Sequence, residues 1–150
     1  MYTPNDGYYV LRLNPAQAQA VSRACEFFAR VVCGQFSEVA WHAGFHQKPS
    51  AHSTEDYDQA VTLLYQARAL LFPELGTAQG YHYGVGKIDR SDVCWDIHQV
   101  LRHAIWKHER ADDKIDFCSV DAKQPMRWGS EPLCSAEFVH GKPGIRSVKE

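Results

Sequence analysis

Residues 89–110, DRSDVCWDIHQVLRHAIWKHER, carry two patterns with the spacing of an α-helix. Apolar side chains recur every three or four positions, as on the face that a helix turns toward a core. They are Val93, Ile97, Val100, Leu101 and Ala104. A second row on a neighbouring face, spaced i, i+3, i+7 and i+11, consists of Trp95, His98, Arg102 and Trp106. Rings can stack on a base and a guanidinium can pair with a phosphate, so this row predicts a ligand site. A wide buried face or a subunit contact would explain the same row.

A second helix is predicted from its start signals. Asn14 followed by Pro15 supplies an N-cap and a proline at the first helical position, so we expect a helix from there to about His42. Gly34 lies inside this span and should cost about 1 kcal/mol relative to alanine. A close helix crossing at Gly34 would explain why glycine is tolerated there.

Capping signals mark the starts of the other helices. Ser53 with Asp56 three residues later resembles a capping box, and the helix that follows should end before Pro73. The helix within residues 89–110 should be capped by Asp89 or Ser91.

Short strands complete the predicted fold, because runs rich in β-prone residues stand between turn signals. We expect strands at residues 8–13, 81–85, 115–120 and 133–139. The order β-α-α-β-α-β-β predicts an α+β fold, with a small, mainly antiparallel sheet packed against three helices. We expect a single domain over residues 1–140 and a flexible tail over residues 141–150.

Composition narrows the class of protein. The chain has 150 residues, 45% of them hydrophobic and 23% charged, as is ordinary for one globular domain. A formal net charge of −2 argues against binding of duplex nucleic acid, since a basic surface supplies most of that affinity. The five cysteines include no CxxC pair, and neither a signal peptide nor a membrane span is evident. We therefore expect reduced thiols and a cytoplasmic location.

Motifs for metal, phosphate or covalent chemistry are weak. His42 and His46 have metal-ligand spacing, but Gly44 lies between them, so we expect neither a metal nor another cofactor. Residues 80–87, GYHYGVGK, have the wrong glycine spacing for a phosphate-binding loop. No GxSxG motif occurs, and a pair formed by Asp96 and His103 would be the best candidate for acid–base chemistry. We expect no catalytic residues.

A binding surface is the remaining prediction. The helix at residues 89–110 supplies His103 in addition to the row described above, and Tyr83 comes from the turn before it. A later loop supplies Arg127 and Trp128. The predicted ligand-binding residues are thus Trp95, His98, Arg102, His103, Trp106, Arg127, Trp128 and Tyr83. Aromatic faces for a purine and guanidinium groups for phosphates are what a small nucleotide requires.

Three stretches resemble a group of small phage and prophage proteins. They are CGQFSEV at residues 33–39, WDIHQVLRH at residues 95–103 and PMRWGSEPL at residues 125–133. Within that group the chain looks like the Thoeris anti-defence sponges, small oligomeric α/β proteins that bind a cyclic ADP-ribose signal without cleaving it. The resemblance implies no metal, no catalytic residues, and a pocket of arginine and aromatic side chains at a subunit interface.

The leading hypothesis is therefore a phage-derived anti-defence protein that sequesters a cyclic nucleotide in the cytoplasm of the host bacterium. The ligand would be of the cyclic ADP-ribose type, with cyclic oligonucleotides as a further candidate. An inhibitor that binds a host defence or replication protein is the alternative, and a small nucleotide hydrolase is a less favoured one. Because the helix at residues 89–110 has apolar residues on more than one face, we also expect a homo-oligomer, a dimer or larger.

Overall fold

The computed structural model describes residues 9–42, 53–73, 88–110 and 120–140, and within these ranges the fold is helical. Four α-helices and one 3₁₀ turn are present in them. Their bounds are α1 Pro15–Val32, α2 Ser37–Ala40, α3 Thr54–Leu71, α4 Asp89–Glu109 and the 3₁₀ turn Val120–Ala122.

Local sequence accounts for both ends of α1. The Asn14 side chain accepts the backbone N–H of Gln17 at 2.8 Å, and the Gln17 side chain accepts that of Asn14 at 3.0 Å. At the other end Gly34 has φ 83°, in the left-handed region that glycine adopts without strain. The N–H groups of Gly34 and Gln35 then donate to the carbonyls of Val31 and Arg30, both at 2.9 Å. This Schellman arrangement ends the helix.

α1 and α4 form the main packing interface. The Ser91 hydroxyl lies 3.4 Å from the Cys33 thiol and 3.3 Å from the Ala29 carbonyl oxygen. Ser22 contacts His98 further along, so the two helices run antiparallel. Ala29, Cys33 and Ser91 are all fully buried, and these small side chains allow the helices to approach closely.

α2 and α3 close the other side of this pair. Phe36, at the start of α2, packs edge to face on Phe72 at the end of α3, with ring centres 5.9 Å apart. Arg68 of α3 is buried, donates to the Gly34 carbonyl oxygen at 3.4 Å, and lies over the Tyr65 ring. The turn at Gly34 is therefore tied to α3 as well as to α1.

Residues 120–130, which we call the strap, run antiparallel to α4 and are bonded to it by side chains. Arg102 donates to the Val120 carbonyl oxygen, and the Met126 N–H donates to the Gln99 side chain at 3.0 Å. Further contacts involve His103, Asp96 and Asp89 of α4. The strap is held by polar side chains of a helix, without strand pairing.

The predicted α+β fold is wrong, because the described residues contain no strand and no sheet. Residues 9–13 have no regular structure, and Tyr9, Val10 and Leu11 are largely exposed. Residues 133–139 are also irregular, and Val120 belongs to a 3₁₀ turn. The predicted strand at 81–85, the rest of that at 115–120 and the predicted tail at 141–150 lie outside the described residues. The α/β fold implied by the resemblance has no counterpart in the described ranges.

The helix predictions are confirmed in part. α3 has the predicted capping box at Ser53 and Asp56 and ends at Leu71. The first helix does not continue to His42, since Gly34 ends α1 and a separate short helix follows. The N-cap of α4 is Ile88, which makes no side-chain cap, so the capping predictions for Asp89 and Ser91 are wrong.

The buried face of α4 is more polar than the apolar pattern predicts. Val100 is buried, but the other predicted core positions are only half-buried. The remaining buried residues of α4 are Ser91, Asp92, Asp96 and Gln99. Asp96 and Gln99 are buried because they accept hydrogen bonds from backbone N–H groups of the strap.

Candidate functional site

A groove of about 810 Å³ lies between α1, α4 and the strap. Its volume is within the range of small-molecule sites, about 300–1,000 Å³. It contains most of the side chains that the sequence singled out. Trp95, His98, Arg102 and Trp106 line it from α4, and Trp128 lines it from the strap.

α1 contributes a polar row that the sequence analysis did not identify. Gln19, Ser22, Glu26 and Arg30 all line the groove. Their spacing is i, i+3, i+7 and i+11, the same as that of the row on α4. This repeated spacing is the feature of the sequence from which the row on α1 could have been predicted. The row was missed because only the start and the end of this helix were considered.

The strap is fixed mainly by one buried carboxylate. Asp96 is 4% exposed, and its two oxygens accept the N–H groups of Trp128 at 2.7 Å and Gly129 at 2.9 Å. Gly129 is buried, and a Cβ there would lie 3.0 Å from Asp96 Oδ2 and 3.1 Å from Val93 Cγ2. A larger residue at this point would therefore have to displace its neighbours by a few tenths of an ångström, and Trp128, next to Gly129 in the chain, lines the groove.

The other end of the strap is attached through Asp89. Its carboxylate accepts the Ser130 hydroxyl at 2.6 Å and the Ser130 N–H at 3.2 Å. These side-chain and backbone hydrogen bonds lower the pKa of Asp89 below its ordinary value. Asp89 is exposed, so this attachment is weaker than the one at Asp96.

Arg102 and His103 also hold the strap. Arg102 Nη1 lies 2.6 Å from the Val120 carbonyl oxygen and 3.6 Å from the Asp121 carboxylate. His103 Nδ1 lies 3.2 Å from the Asp121 carbonyl oxygen, and its ring stacks on Trp106. His103 does not line the groove. Asp96 and His103 thus have separate partners and do not form the acid–base pair considered from the sequence.

Of the remaining predicted site residues, Arg127 is not brought into the groove. Arg127 is exposed and lies outside the groove lining, although it is adjacent to Trp128 in the chain. Tyr83 lies outside the described residues. The groove lining includes four cationic residues that were not predicted as site residues. They are Arg23, Arg30, Arg110 and Lys123.

The groove is more positive than the chain as a whole. Among the residues that the structure describes, five cationic and three anionic side chains line it, whereas the chain has a formal net charge of −2. The anionic side chains are Glu26, Glu109 and Asp121. Arg30 Nη2 lies 2.8 Å from Glu26, and its guanidinium is 5.5 Å from the Trp95 ring centre. Arg30 is therefore a cationic neighbour of the Trp95 ring within this groove.

His98 lies near the middle of the groove lining on α4. Its Nδ1 is 3.0 Å from the Ser22 hydroxyl and 3.1 Å from the Ser22 carbonyl oxygen. Burial lowers the pKa of His98 below its ordinary value, and Arg102 and Arg30 act in the same direction against Glu26. A lowered pKa favours the neutral form of the imidazole.

Comparison with known proteins adds no relative. No family model, curated protein or solved structure matches the chain. The geometry of the groove is therefore the basis for assigning a function.

The described residues contain no group of three or more His, Cys, Asp or Glu side chains arranged to hold a metal ion. Of the histidines considered as ligands, His42 lies 3.3 Å from the Glu38 carboxylate and packs against Phe27, while His46 lies outside the described ranges. Four cysteines in these ranges are free thiols, with Cys33 buried and Cys134 exposed. Among the described helices, none combines the length and the apolar character needed to cross a membrane.

Proposed function

We propose that the groove binds a small cyclic nucleotide and holds it without cleaving it. The observation that carries this proposal is the convergence of three indoles and several guanidinium groups on one groove of suitable volume. Trp95, Trp106 and Trp128 come from two separate segments of the chain and line the same space. Indole faces stack on bases, and arginine forks bind phosphates in a bidentate manner.

The charge of the groove supports an anionic ligand. Arg30 and Arg102 each have a carboxylate partner, but Arg23 and Lys123 line the groove as further cations. A diphosphate or phosphodiester entering the groove would add negative charge to a site with an excess of cations. The groove thus provides cationic side chains for an anionic ligand although the chain as a whole has a formal net charge of −2.

Retention without cleavage is what the resemblance implies, and the Asp96–His103 pair considered from the sequence does not argue against it. Asp96 is occupied by two backbone N–H groups of the strap, and His103 is occupied by the 3₁₀ turn. Neither is oriented as a general base toward the groove. His98 also lines the groove, and we assign it the role of a hydrogen-bond acceptor. In this proposal the protein acts by stoichiometric sequestration in a bacterial cytoplasm, as the resemblance to anti-defence sponges implies, and sequestration requires tight binding.

A matched pair of tryptophan variants tests the site. Trp128 in the groove is 45% exposed, and Trp41, outside the groove lining, is 48% exposed. Trp128→Ala removes the indole and leaves its backbone N–H bonded to Asp96. Base stacking is worth about 1–3 kcal/mol, so Trp128→Ala should weaken binding of a cyclic nucleotide about 5- to 150-fold.

Isothermal titration with cyclic ADP-ribose isomers and cyclic oligonucleotides provides the measurement. Trp41→Ala should bind as the unchanged protein does. Equal affinity of Trp128→Ala and the unchanged protein would remove the groove as the site. Absence of heat with every ligand would favour the alternative, an inhibitor that binds a host protein.

We also propose that the protein forms a homo-oligomer. Leu63, Leu70 and Leu71 on α3 are 57%, 85% and 66% exposed, and the spacing i, i+7, i+8 gives them one helix face. Burial of such a face between copies of the chain is favourable, at about 25 cal/mol per Å² of apolar surface. Light scattering after size exclusion should give a mass above one chain of 17.0 kDa, and a monomer at all concentrations would refute this.

A further inference from the structure

Two oxygen atoms of Ser22 lie within hydrogen-bond distance of His98 Nδ1, and the nearer one, the hydroxyl at 3.0 Å, can donate or accept. The Ser22 carbonyl oxygen, 3.1 Å from Nδ1, can only accept a hydrogen bond. A neutral imidazole satisfies it by carrying its hydrogen on Nδ1. Nε2, on the far side of the ring, is then an unprotonated acceptor.

Burial is the largest influence on the pKa of His98 and lowers it, whereas the hydrogen bond to the Ser22 backbone raises it. From α1, Glu26 raises the pKa and Arg30 lowers it, while Arg102 on α4 also lowers it. The pKa of His98 therefore stays below its ordinary value. Asp121 and Lys123 of the strap, which line the same groove, carry opposite charges.

Nε2 has no hydrogen-bond partner among the residues that the structure describes, and His98 lines the groove. On α4 it stands one turn after Trp95 and one turn before Arg102. These two positions are about 10 Å apart along the helix axis, at 1.5 Å per residue. The order indole, imidazole, guanidinium matches the order base, ribose, phosphate in a nucleotide.

We propose that His98 Nε2 accepts a hydrogen bond from a ribose hydroxyl, so that the groove selects ribonucleotides over deoxyribonucleotides. The inference rests on the proposed function, because it assigns the sugar position within the same nucleotide site. A ribose hydroxyl is the group by which proteins distinguish ribo- from deoxyribonucleotides. The phosphodiester or diphosphate of a cyclic nucleotide carries no proton to donate at neutral pH and does not suit this position.

The first test needs no ligand. Long-range ¹H–¹⁵N NMR of the free protein at pH 7 should show His98 with Nδ1 protonated and Nε2 unprotonated. The opposite tautomer, or a charged ring, would overturn the proposal whether or not the groove binds nucleotides.

The second test compares adenosine 5′-monophosphate with its 2′-deoxy and 3′-deoxy analogues by NMR titration of the unchanged protein. One hydrogen bond of ordinary strength predicts that one of the deoxy analogues binds about 2- to 10-fold more weakly. Equal binding of all three would overturn the role of His98 and leave the proposed function intact. Binding of none of the three would overturn the role proposed for His98, whereas the proposed function is tested by the cyclic nucleotides themselves.

Two substitutions of His98 distinguish a role in selecting ribose over deoxyribose from a purely structural role. His98→Asn retains an amide N–H near the position of Nδ1, toward Ser22, but lacks an acceptor at the position of Nε2. His98→Gln supplies an amide oxygen near the position of Nε2. The ribose preference should disappear in His98→Asn and persist in His98→Gln, and a preference that persists in both would overturn the proposal.

Discussion

Replacing Asp96 with alanine should release the strap from α4, because this one carboxylate holds two backbone N–H groups. Trp128 and Gly129 donate to it at 2.7 and 2.9 Å, and Asp96 is 4% exposed. Asp96→Asn tests the same contact with a smaller change. Its amide can accept only one of the two hydrogen bonds and presents an N–H group to the other donor.

The expected free-energy change follows from these contacts. Hydrogen bonds to a charged group are worth about 1.5–3 kcal/mol each. The full loss of two such bonds is reduced because the Trp128 N–H reaches water once the strap loosens. We therefore expect Asp96→Ala to weaken attachment of the strap by about 2–4 kcal/mol, and Asp96→Asn by about 1.5–3 kcal/mol.

Hydrogen–deuterium exchange of residues 120–130 measures this attachment directly. A weakening of 2–4 kcal/mol should speed exchange of the Trp128 and Gly129 amides about 30- to 1,000-fold, provided that exchange requires the strap to open. Asp58→Asn on the exposed surface of α3 is a matched control and should leave strap exchange unchanged.

The same variants test whether attachment of the strap is needed for binding of a cyclic nucleotide. Since Trp128 forms part of the groove through this segment, Asp96→Ala should also weaken binding of a cyclic nucleotide. Strap exchange in Asp96→Ala equal to that of the unchanged protein would refute the reasoning, because the two N–H groups would then not depend on the carboxylate.

Three further predictions concern local packing and reactivity. Gly129→Ala should destabilise the protein by about 1–3 kcal/mol in urea denaturation, because the added Cβ would lie 3.0 Å from the Asp96 carboxylate; an unchanged midpoint would contradict the tight fit. Gly34→Ala should lower the free energy of unfolding by about 1–2 kcal/mol in the same assay, because an L residue is strained at φ 83°. A smaller decrease would contradict the strain expected at this turn. Burial and then the neighbouring Cys94 thiol raise the pKa of Cys25 to about 11. Iodoacetamide at pH 8 should therefore modify Cys25 on the order of 100-fold more slowly than an exposed thiol, as followed by peptide mass spectrometry, and comparable rates would refute this.

The helices were predictable from sequence because their signals are local. The capping boxes at Asn14 and Ser53 set the starts of α1 and α3, and both are present. The row of Trp95, His98 and Arg102 was predictable from spacing alone, because residues three and four apart share a helix face. That all three line one groove agrees with this spacing.

The sheet was predicted wrongly because β-prone residues form a strand only where another strand pairs with them, and residues 9–13 and 133–139 are irregular, with no strand among the described residues. The segment that does lie along α4, the strap, was predicted only as a loop. Residues 120–130 are extended or turn-like, but they bond to Asp89, Asp96 and Gln99 on a helix. The apolar pattern on α4 gave no indication that Asp96 is buried. Asp96 is buried because it accepts hydrogen bonds from backbone N–H groups of the strap. The break at Gly34 was missed because a glycine in a helical pattern can be either an interior residue or the left-handed residue that ends the helix.

The central claim, that the groove holds a cyclic nucleotide intact, is tested most directly by depletion and recovery. The purified protein is incubated with cyclic ADP-ribose isomers and cyclic oligonucleotides, filtered, and heated to release whatever is bound for mass spectrometry. We predict that at least one cyclic nucleotide is depleted from the filtrate and released with unchanged mass. Depletion of none, or release with altered mass, would contradict the claim.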